Sequence, residues 1–153
     1  MVSRISEIEP LRESSLPEAY LFLETIFTNE QHIPKKLIPL QHKQQLWWCI
    51  KDEGAIVGTV AAWKDGKEWH WGRLAVDEGQ RGRGLGKKLA IGSFKELFQC
   101  GIDQIIIDAR DITVELLLSL GAKVTGPTTQ FYDIPITPMK LTKSDFEGVY
   151  NQT

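Results

Sequence analysis

The chain has 153 residues, 42% of them apolar and 25% charged, which suits one globular domain with a single core. A formal net charge of −2 provides no overall basic field for a phosphate backbone, so nucleic acid is excluded as an expected partner. No run approaches the ~20 apolar residues a membrane span needs, and the N-terminus carries Arg4, Glu7 and Glu9 instead of an apolar signal core.

In chain order, the first readable element is a helix over residues 16–29. Ser15 is placed to cap it and Glu18 stands three residues on, as in a capping box. Pro17 is tolerated in the first turn, and Tyr20, Leu23, Ile26 and Phe27 repeat at helical spacing. Residues 30–44, broken by Pro34 and Pro39, read as an irregular connection. Leu46–Lys51 and Ile56–Lys64 read as strands joined across Asp52-Glu53-Gly54, and Gly66 marks a further turn. A third strand over Trp69–Val76 sets Trp69, Trp71, Arg73 and Ala75 on one face and His70, Gly72, Leu74 and Val76 on the other.

Leu85–Phe98 is the second helix, with Leu85, Leu89, Phe94, Leu97 and Phe98 along one stripe and Gly101 ending it. The Ile-Ile-Ile run in Gln104–Asp108 predicts a strand buried on both faces, parallel or central in its sheet. Thr113–Leu120 reads as a short helix closed by Gly121, and Lys123–Thr125 with Gln130–Leu141 as a final β pair. The order α, β-hairpin, β, α, β, α, β, β predicts a mixed, layered α/β fold in one domain over residues 1–153. Cys49 and Cys100 form no scaffold pattern and read as small core residues in a reduced setting.

The chemically informative stretch is Leu74-Ala-Val-Asp-Glu-Gly-Gln-Arg-Gly-Arg-Gly-Leu-Gly-Lys-Lys-Leu89. A strand runs into a glycine-rich loop, and the loop opens a helix. Gly82, Gly84 and Gly86 let backbone approach a bulky anion, and amides at a helix start suit a pyrophosphate. Arg81, Arg83, Lys87 and Lys88 add local positive charge. A P-loop is disfavoured, because Lys88 follows Gly86-Lys87 where a hydroxyl residue is needed for magnesium. A dinucleotide fingerprint is disfavoured too, because the loop reads Gly-x-Gly-x-Gly. The plain alternative is a basic helix start with turn glycines.

Arg81-x-x-Gly84-x-Gly86 after a strand ending Leu-Ala-Val resembles the acyl-CoA signature of the GNAT superfamily. The likeness extends over residues 16–143. Ile26-Phe-Thr-Asn-Glu-Gln31, Gly72-Arg-Leu-Ala-Val76 and Phe131-Tyr-Asp-Ile-Pro-Ile-Thr-Pro-Met139 resemble three motifs of the bacterial ElaA-type branch, in that branch's order. The resemblance implies a GNAT-like fold. It has a central, mostly antiparallel sheet that splays between two parallel strands, ending at Val76 and near Asp108, with helices on both faces. It also implies an acetyl-CoA-dependent N-acyltransferase. Leu74, Ala75 and Val76 would pair with pantetheine, and Arg81, Gly82, Arg83, Gly84, Leu85, Gly86 and Lys87 would hold the pyrophosphate. Acetyl-CoA is then the co-substrate, with no metal, and the acceptor is a primary amine of a small molecule or peptide. The expected location is cytoplasmic, and a homodimer is compatible with the sequence.

The chain departs from the family at three polar positions. Leu117 stands where many members have the Tyr that protonates the leaving thiolate, Asp108-Ala-Arg110 replaces Asn-Ala-Gln, and Ile136 replaces a closing-strand His. Histone-type members place a Glu base eleven residues ahead of the signature's first residue, and the same count back from Arg81 reaches His70. An imidazole suits proton removal near neutral pH; a hydrogen-bonded, inert strand His is the alternative. Glu30 and Asp108 are further candidates for attracting a cationic amine or acting as base through a water, and Tyr132 for the missing acid. Trp47, Trp48 and Trp63 read as core or acceptor-pocket aromatics. His32 and His42 lack ligand-spaced partners, so no metal is expected. Two functions fit these residues: an active transferase, and a non-catalytic acyl-CoA-binding regulatory module suggested by the lost Tyr and His.

Overall fold

The computed structural model describes residues 5–11, 13–26, 45–131 and 133–150. Phe27, the connection over 30–44 with Glu30, His32 and His42, and Tyr132 lie outside the described residues. The elements are β1 (Glu9–Pro10), α1 (Leu16–Glu24), β2 (Gln45–Asp52), β3 (Ala55–Asp65), β4 (Glu68–Val76), α2 (Leu85–Gln99), β5 (Gln104–Arg110), α3 (Asp111–Ser119), β6 (Lys123–Val124), β7 (Thr129–Phe131), β8 (Ile134–Thr142) and α4 (Lys143–Tyr150). The strands form one 8-stranded mixed sheet in the order β1-β2-β3-β4-β5-β8-β6, with β7 also on β8. Among the described residues the β4–β5 pair is parallel and the other pairs are antiparallel. This is the mixed α/β class the sequence predicts. No helix of the described residues is long and apolar enough to cross a membrane.

Contacts divide the chain into two compact units, one of residues 1–62 with 73–93 and one of 63–72 with 94–153. In the first, Trp47, Trp48, Cys49 and Ile50 of β2 are all buried. Four consecutive buried side chains mean cover on both faces of the strand, so Trp47 and Trp48 take the core role. Tyr20 of α1 meets the Trp47 ring edge-on at 5.6 Å, and Gln45 Nε2 donates to the Tyr20 hydroxyl at 3.1 Å. The β2–β3 turn has Glu53 at φ 52 and Gly54 at φ 88, the paired positive values of a hairpin turn whose twist matches its strands.

In the second unit, β5 lies between β4 and β8. Its ladder pairs Trp69 with Ile105, His70 with Ile106 and Trp71 with Ile107, and continues onto β8 from Gln104↔Thr142 to Arg110↔Ile136. Ile105 and Ile107 are buried and Ile106 half-buried, as a central strand requires. An aromatic knot closes the core. The Phe94 centroid lies 4.7 Å from that of Trp71 and 5.9 Å from that of Phe146, contacts that each add about 0.5–1.5 kcal/mol beyond area burial. α2 and α3 both end in Schellman caps. Ile102 N donates to Leu97 O and Gly101 N to Phe98 O; Ala122 N donates to Leu117 O and Gly121 N to Leu118 O. Gly101 at φ 94 and Gly121 at φ 103 supply the left-handed residue.

Four expectations need correction. Ser15 makes no side-chain cap bond: it belongs to a 3-10 turn over Glu13–Ser15, so it lacks the extended backbone from which a cap hydroxyl reaches forward. Gln130–Leu141 is not one strand, because Asp133 at φ 64 turns the chain and pairs β7 with β8. Cys100 is exposed, and only Cys49 is a core residue. The chain does not close on a β pair, because α4 follows β8. Its cap is Thr142, whose Oγ1 accepts from Asp145 N at 3.1 Å, and Phe146 buries its apolar side.

Candidate acyl-CoA loop and candidate base

β4 carries both candidate sites along its length. Its C-terminal part begins with an outlier: Arg73 stands at φ 54 in mid-strand, a conformation that costs a non-glycine residue about 1–2 kcal/mol. Such strain marks bulges that re-aim a strand and gathers at functional positions. The Arg73 carbonyl accepts from the Thr59 hydroxyl at 3.3 Å. Burial pulls the Arg73 guanidinium down to about 10, with Tyr20 opposing the shift, so it stays cationic at neutral pH. Leu74, Ala75 and Val76 follow the outlier and end the strand. Gly58 gives β4 and α2 room here, since a Cβ there would come 3.0 Å from Leu89 Cδ1 and 3.5 Å from the Ala75 carbonyl oxygen.

Past Val76 the chain makes a 3-10 turn over Glu78–Gln80. Asp77 N donates to Val57 O at 2.8 Å, and Gln80 Nε2 to Asp52 Oδ2 at 3.0 Å. These bonds fasten the loop's entry to β3 and β2. Arg81 folds back so that its Nε donates to Val76 O at 3.1 Å. Gly82 and Gly84 then adopt φ 86 and 75, and a Cβ at either would meet nothing within 4 Å. The first helical bond of α2 runs from Lys88 N to Gly84 O at 3.1 Å. The amides of Leu85, Gly86 and Lys87 therefore have no intrahelical acceptor by the geometry of a helix start. The first turn of α2 contains no acidic residue; Arg81, Arg83, Lys87 and Lys88 are exposed, whereas Leu85 is buried and anchors the helix. Open positive-φ glycines, amides without an intrahelical acceptor and exposed cations make this turn a candidate anion cradle.

His70 lies on the N-terminal part of β4, half-buried, in register with Ile106. Its ring stacks on Trp63 with centroids 5.9 Å apart and planes 11° apart, and its Nε2 lies 4.0 Å from Glu68 Oε2. Asp108 is exposed on β5, paired with Pro138. Leu117 is fully buried in α3, a hydrocarbon with no proton to give. Residue spacing alone missed the Trp63–His70 stack and the Arg73 outlier. The stack was within reach of hairpin arithmetic, because counting outward from the Gly66–Lys67 turn sets Trp63 opposite His70. The outlier has no sequence signal, since nothing in an arginine announces a positive φ.

The family model for the acetyltransferase (GNAT) domain matches residues 18–143. The chain belongs to this family. Among solved structures the GNAT chain is similar to ElaA of Escherichia coli, with a TM-score of 0.77 at 17% identity over 88% of this chain and 97% of that one. It is similar to the ribosomal-protein-S18-alanine N-acetyltransferase from Escherichia coli, with a TM-score of 0.68 at 20% identity over 90% and 93%. It is also similar to yncA of Salmonella typhimurium, solved with its cofactor acetyl-CoA, with a TM-score of 0.72 at 15% identity over 91% and 94%. At these identities the likeness is one of fold. No curated protein matches the chain.

Proposed function

We propose that this GNAT protein transfers an acetyl or other acyl group from acetyl-CoA to a primary amine of a small molecule or peptide, by direct attack within a ternary complex. The observation that carries the reading is the loop from Arg81 to Lys87, where two positive-φ glycines face open space ahead of a cation-rich helix start. Pyrophosphate would lie on the amides of Gly82–Lys87, with Arg81, Arg83 and Lys87 neutralising it, and pantetheine would run along Leu74, Ala75 and Val76. The acetyl-CoA of one neighbour and the ribosomal-protein-S18 alanine for which another is named support the co-substrate and the kind of acceptor. A homodimer and a cytoplasmic location are compatible with this reading.

His70 takes the proton of the attacking ammonium, with Asp108 and Glu30 as the alternative carboxylates. The freed nitrogen lone pair bonds to the thioester carbonyl carbon, and a strand amide near Val76 polarises the carbonyl oxygen. The C–S bond then breaks with its electron pair on sulfur. A thiol whose pKa is near 8.5 leaves as thiolate at neutral pH with little help, so solvent or the intermediate's own ammonium proton replaces a Tyr acid. Buried Leu117 therefore does not preclude turnover.

The test has two parts. Acetyl-CoA should raise the melting temperature, by the equivalent of about 2.7 kcal/mol at 100 Kd, and Gly84→Val should abolish the shift. Thiol release should follow on adding spermidine, L-lysine or an alanine-initiated peptide, and His70→Ala should lower kcat by roughly 10²–10⁴-fold with acetyl-CoA binding intact. An unchanged melting curve at millimolar acetyl-CoA would sink the proposal. Binding without thiol release from any amine would favour the regulatory module.

A further inference from the structure

Acyl transfer as set out above gives Trp63 no part, yet the structure gives it a built seat. The indole stands beside His70 with the two rings nearly parallel, 11° apart, and centroids separated by 5.9 Å, an offset stack. Two residues further along β4 lies Gly72. A Cβ built there would sit 3.1 Å from Trp63 Cη2 and 3.6 Å from Cζ3. Gly72 does not have a left-handed φ, so the backbone does not require glycine here. What the missing side chain leaves is room for the tip of the indole, Cη2 and Cζ3. On the other side, Glu68 Oε2 stands 4.0 Å from His70 Nε2. That is an ion-pair separation once the imidazole is protonated, and too long for a hydrogen bond that would set the ring plane.

We propose that Trp63, seated on Gly72, is a positioning residue that fixes the plane of the His70 imidazole for proton removal from the acceptor amine. The inference rests on the reading of His70 as base. Histidine χ2 is a broad, weakly restrained torsion, whereas a general base must aim a nitrogen lone pair within hydrogen-bond reach of its proton. An indole against one ring face blocks rotation through that face and leaves the imidazole edge, with its nitrogens, to meet the amine.

Gly72→Ala tests this with His70, Trp63 and the loop all left unsubstituted, because its methyl pushes the indole by a few tenths of an ångström. Trp63→Leu removes the stack. Gly72→Ala with Trp63→Phe supplies a smaller ring that clears the methyl and still stacks. His70 ring protons are followed by NMR, assigned among the three histidines by their loss in His70→Gln. Turnover is read with acetyl-CoA and whichever of spermidine, L-lysine or the alanine-initiated peptide reacts fastest. The His70 signals should move in Trp63→Leu and in Gly72→Ala and return towards wild type in the double variant. In parallel kcat should fall roughly 10–100-fold and then recover, with KM for acetyl-CoA within about twofold throughout. Unmoved His70 signals, or wild-type kcat in both single variants, would overturn the proposal. Wild-type turnover by His70→Ala would overturn the base reading and this one with it. That failure is recognised because the His70 signals still shift in Gly72→Ala.

Discussion

Glycines do opposite things in two regions of this molecule. In the Arg81–Lys87 loop, Gly82 and Gly84 take positive φ with nothing within 4 Å of where a side chain would begin. In the second unit, Gly121 also takes a positive φ, but a Cβ there would lie 2.7 Å from the Asp145 carbonyl oxygen. Both sets are required by backbone conformation. The second is also required by packing, while the first leaves room that the protein itself does not fill. A left-handed glycine pressed against backbone marks a structural seam; one facing open space serves a turn or a helix end, as at Gly54, Gly66 and Gly101, and in the Arg81–Lys87 loop we propose that acetyl-CoA takes up that space.

Substitution should separate the two. Gly121→Ala combines backbone strain with a clash against main chain that cannot move aside. It should cost about 2–5 kcal/mol, read as a lower urea midpoint at unchanged m; a loss under about 1 kcal/mol would mean that the α3–α4 seam yields. Leu117→Tyr comes next. A larger ring in a filled core should cost roughly 1–3 kcal/mol, and the variant should gain no turnover. A rise in turnover at unchanged melting temperature would mean that this position faces the thioester. Gly84→Val should cost about 1–2 kcal/mol of backbone strain and lose the acetyl-CoA melting shift, whereas folded Gly121→Ala should keep it. If both variants keep the shift, or both lose it, the contrast between the regions fails.

The smallest effect concerns the thiols. Burial, reinforced by Glu9, pushes the Cys49 thiol from 9.0 up to about 11, while Cys100 is exposed. Iodoacetamide at pH 8 should label Cys100 in the native protein and both cysteines after unfolding. Because the native state keeps the Cys49 proton when the unfolded chain has released it, this group's contribution is intact below pH 9 and is lost as pH rises towards 11. Native-state labelling of Cys49 at pH 8 would contradict its burial.

Much of the fold was legible. The α2 stripe of Leu85, Leu89, Phe94, Leu97 and Phe98 is buried throughout, because a helix of 15 residues repeats its pattern often enough to be read. Gly101 and Gly121 were readable as stops because left-handed caps select glycine. β1 was not legible, since two residues including Pro10 carry no alternation. α4 is hard to read although Thr142-Lys-Ser-Asp145 is a capping signature, because it follows β8 directly, with no Gly or Pro between the two elements to mark the change.

By itself the sequence determined the mixed α/β class, the strand–loop–helix unit of Leu74–Leu89 and the GNAT resemblance. These rest on local chemistry, namely periodicity, caps and glycines within a few residues of one another. The tertiary structure alone decided that Leu117 is core, that Cys100 is exposed, that Arg73 takes a positive φ and that Trp63 stacks on His70 with its ring tip over Gly72. Each depends on what a neighbouring element places against the residue, and that is fixed by strand register and packing across many positions of chain rather than by the residues on either side.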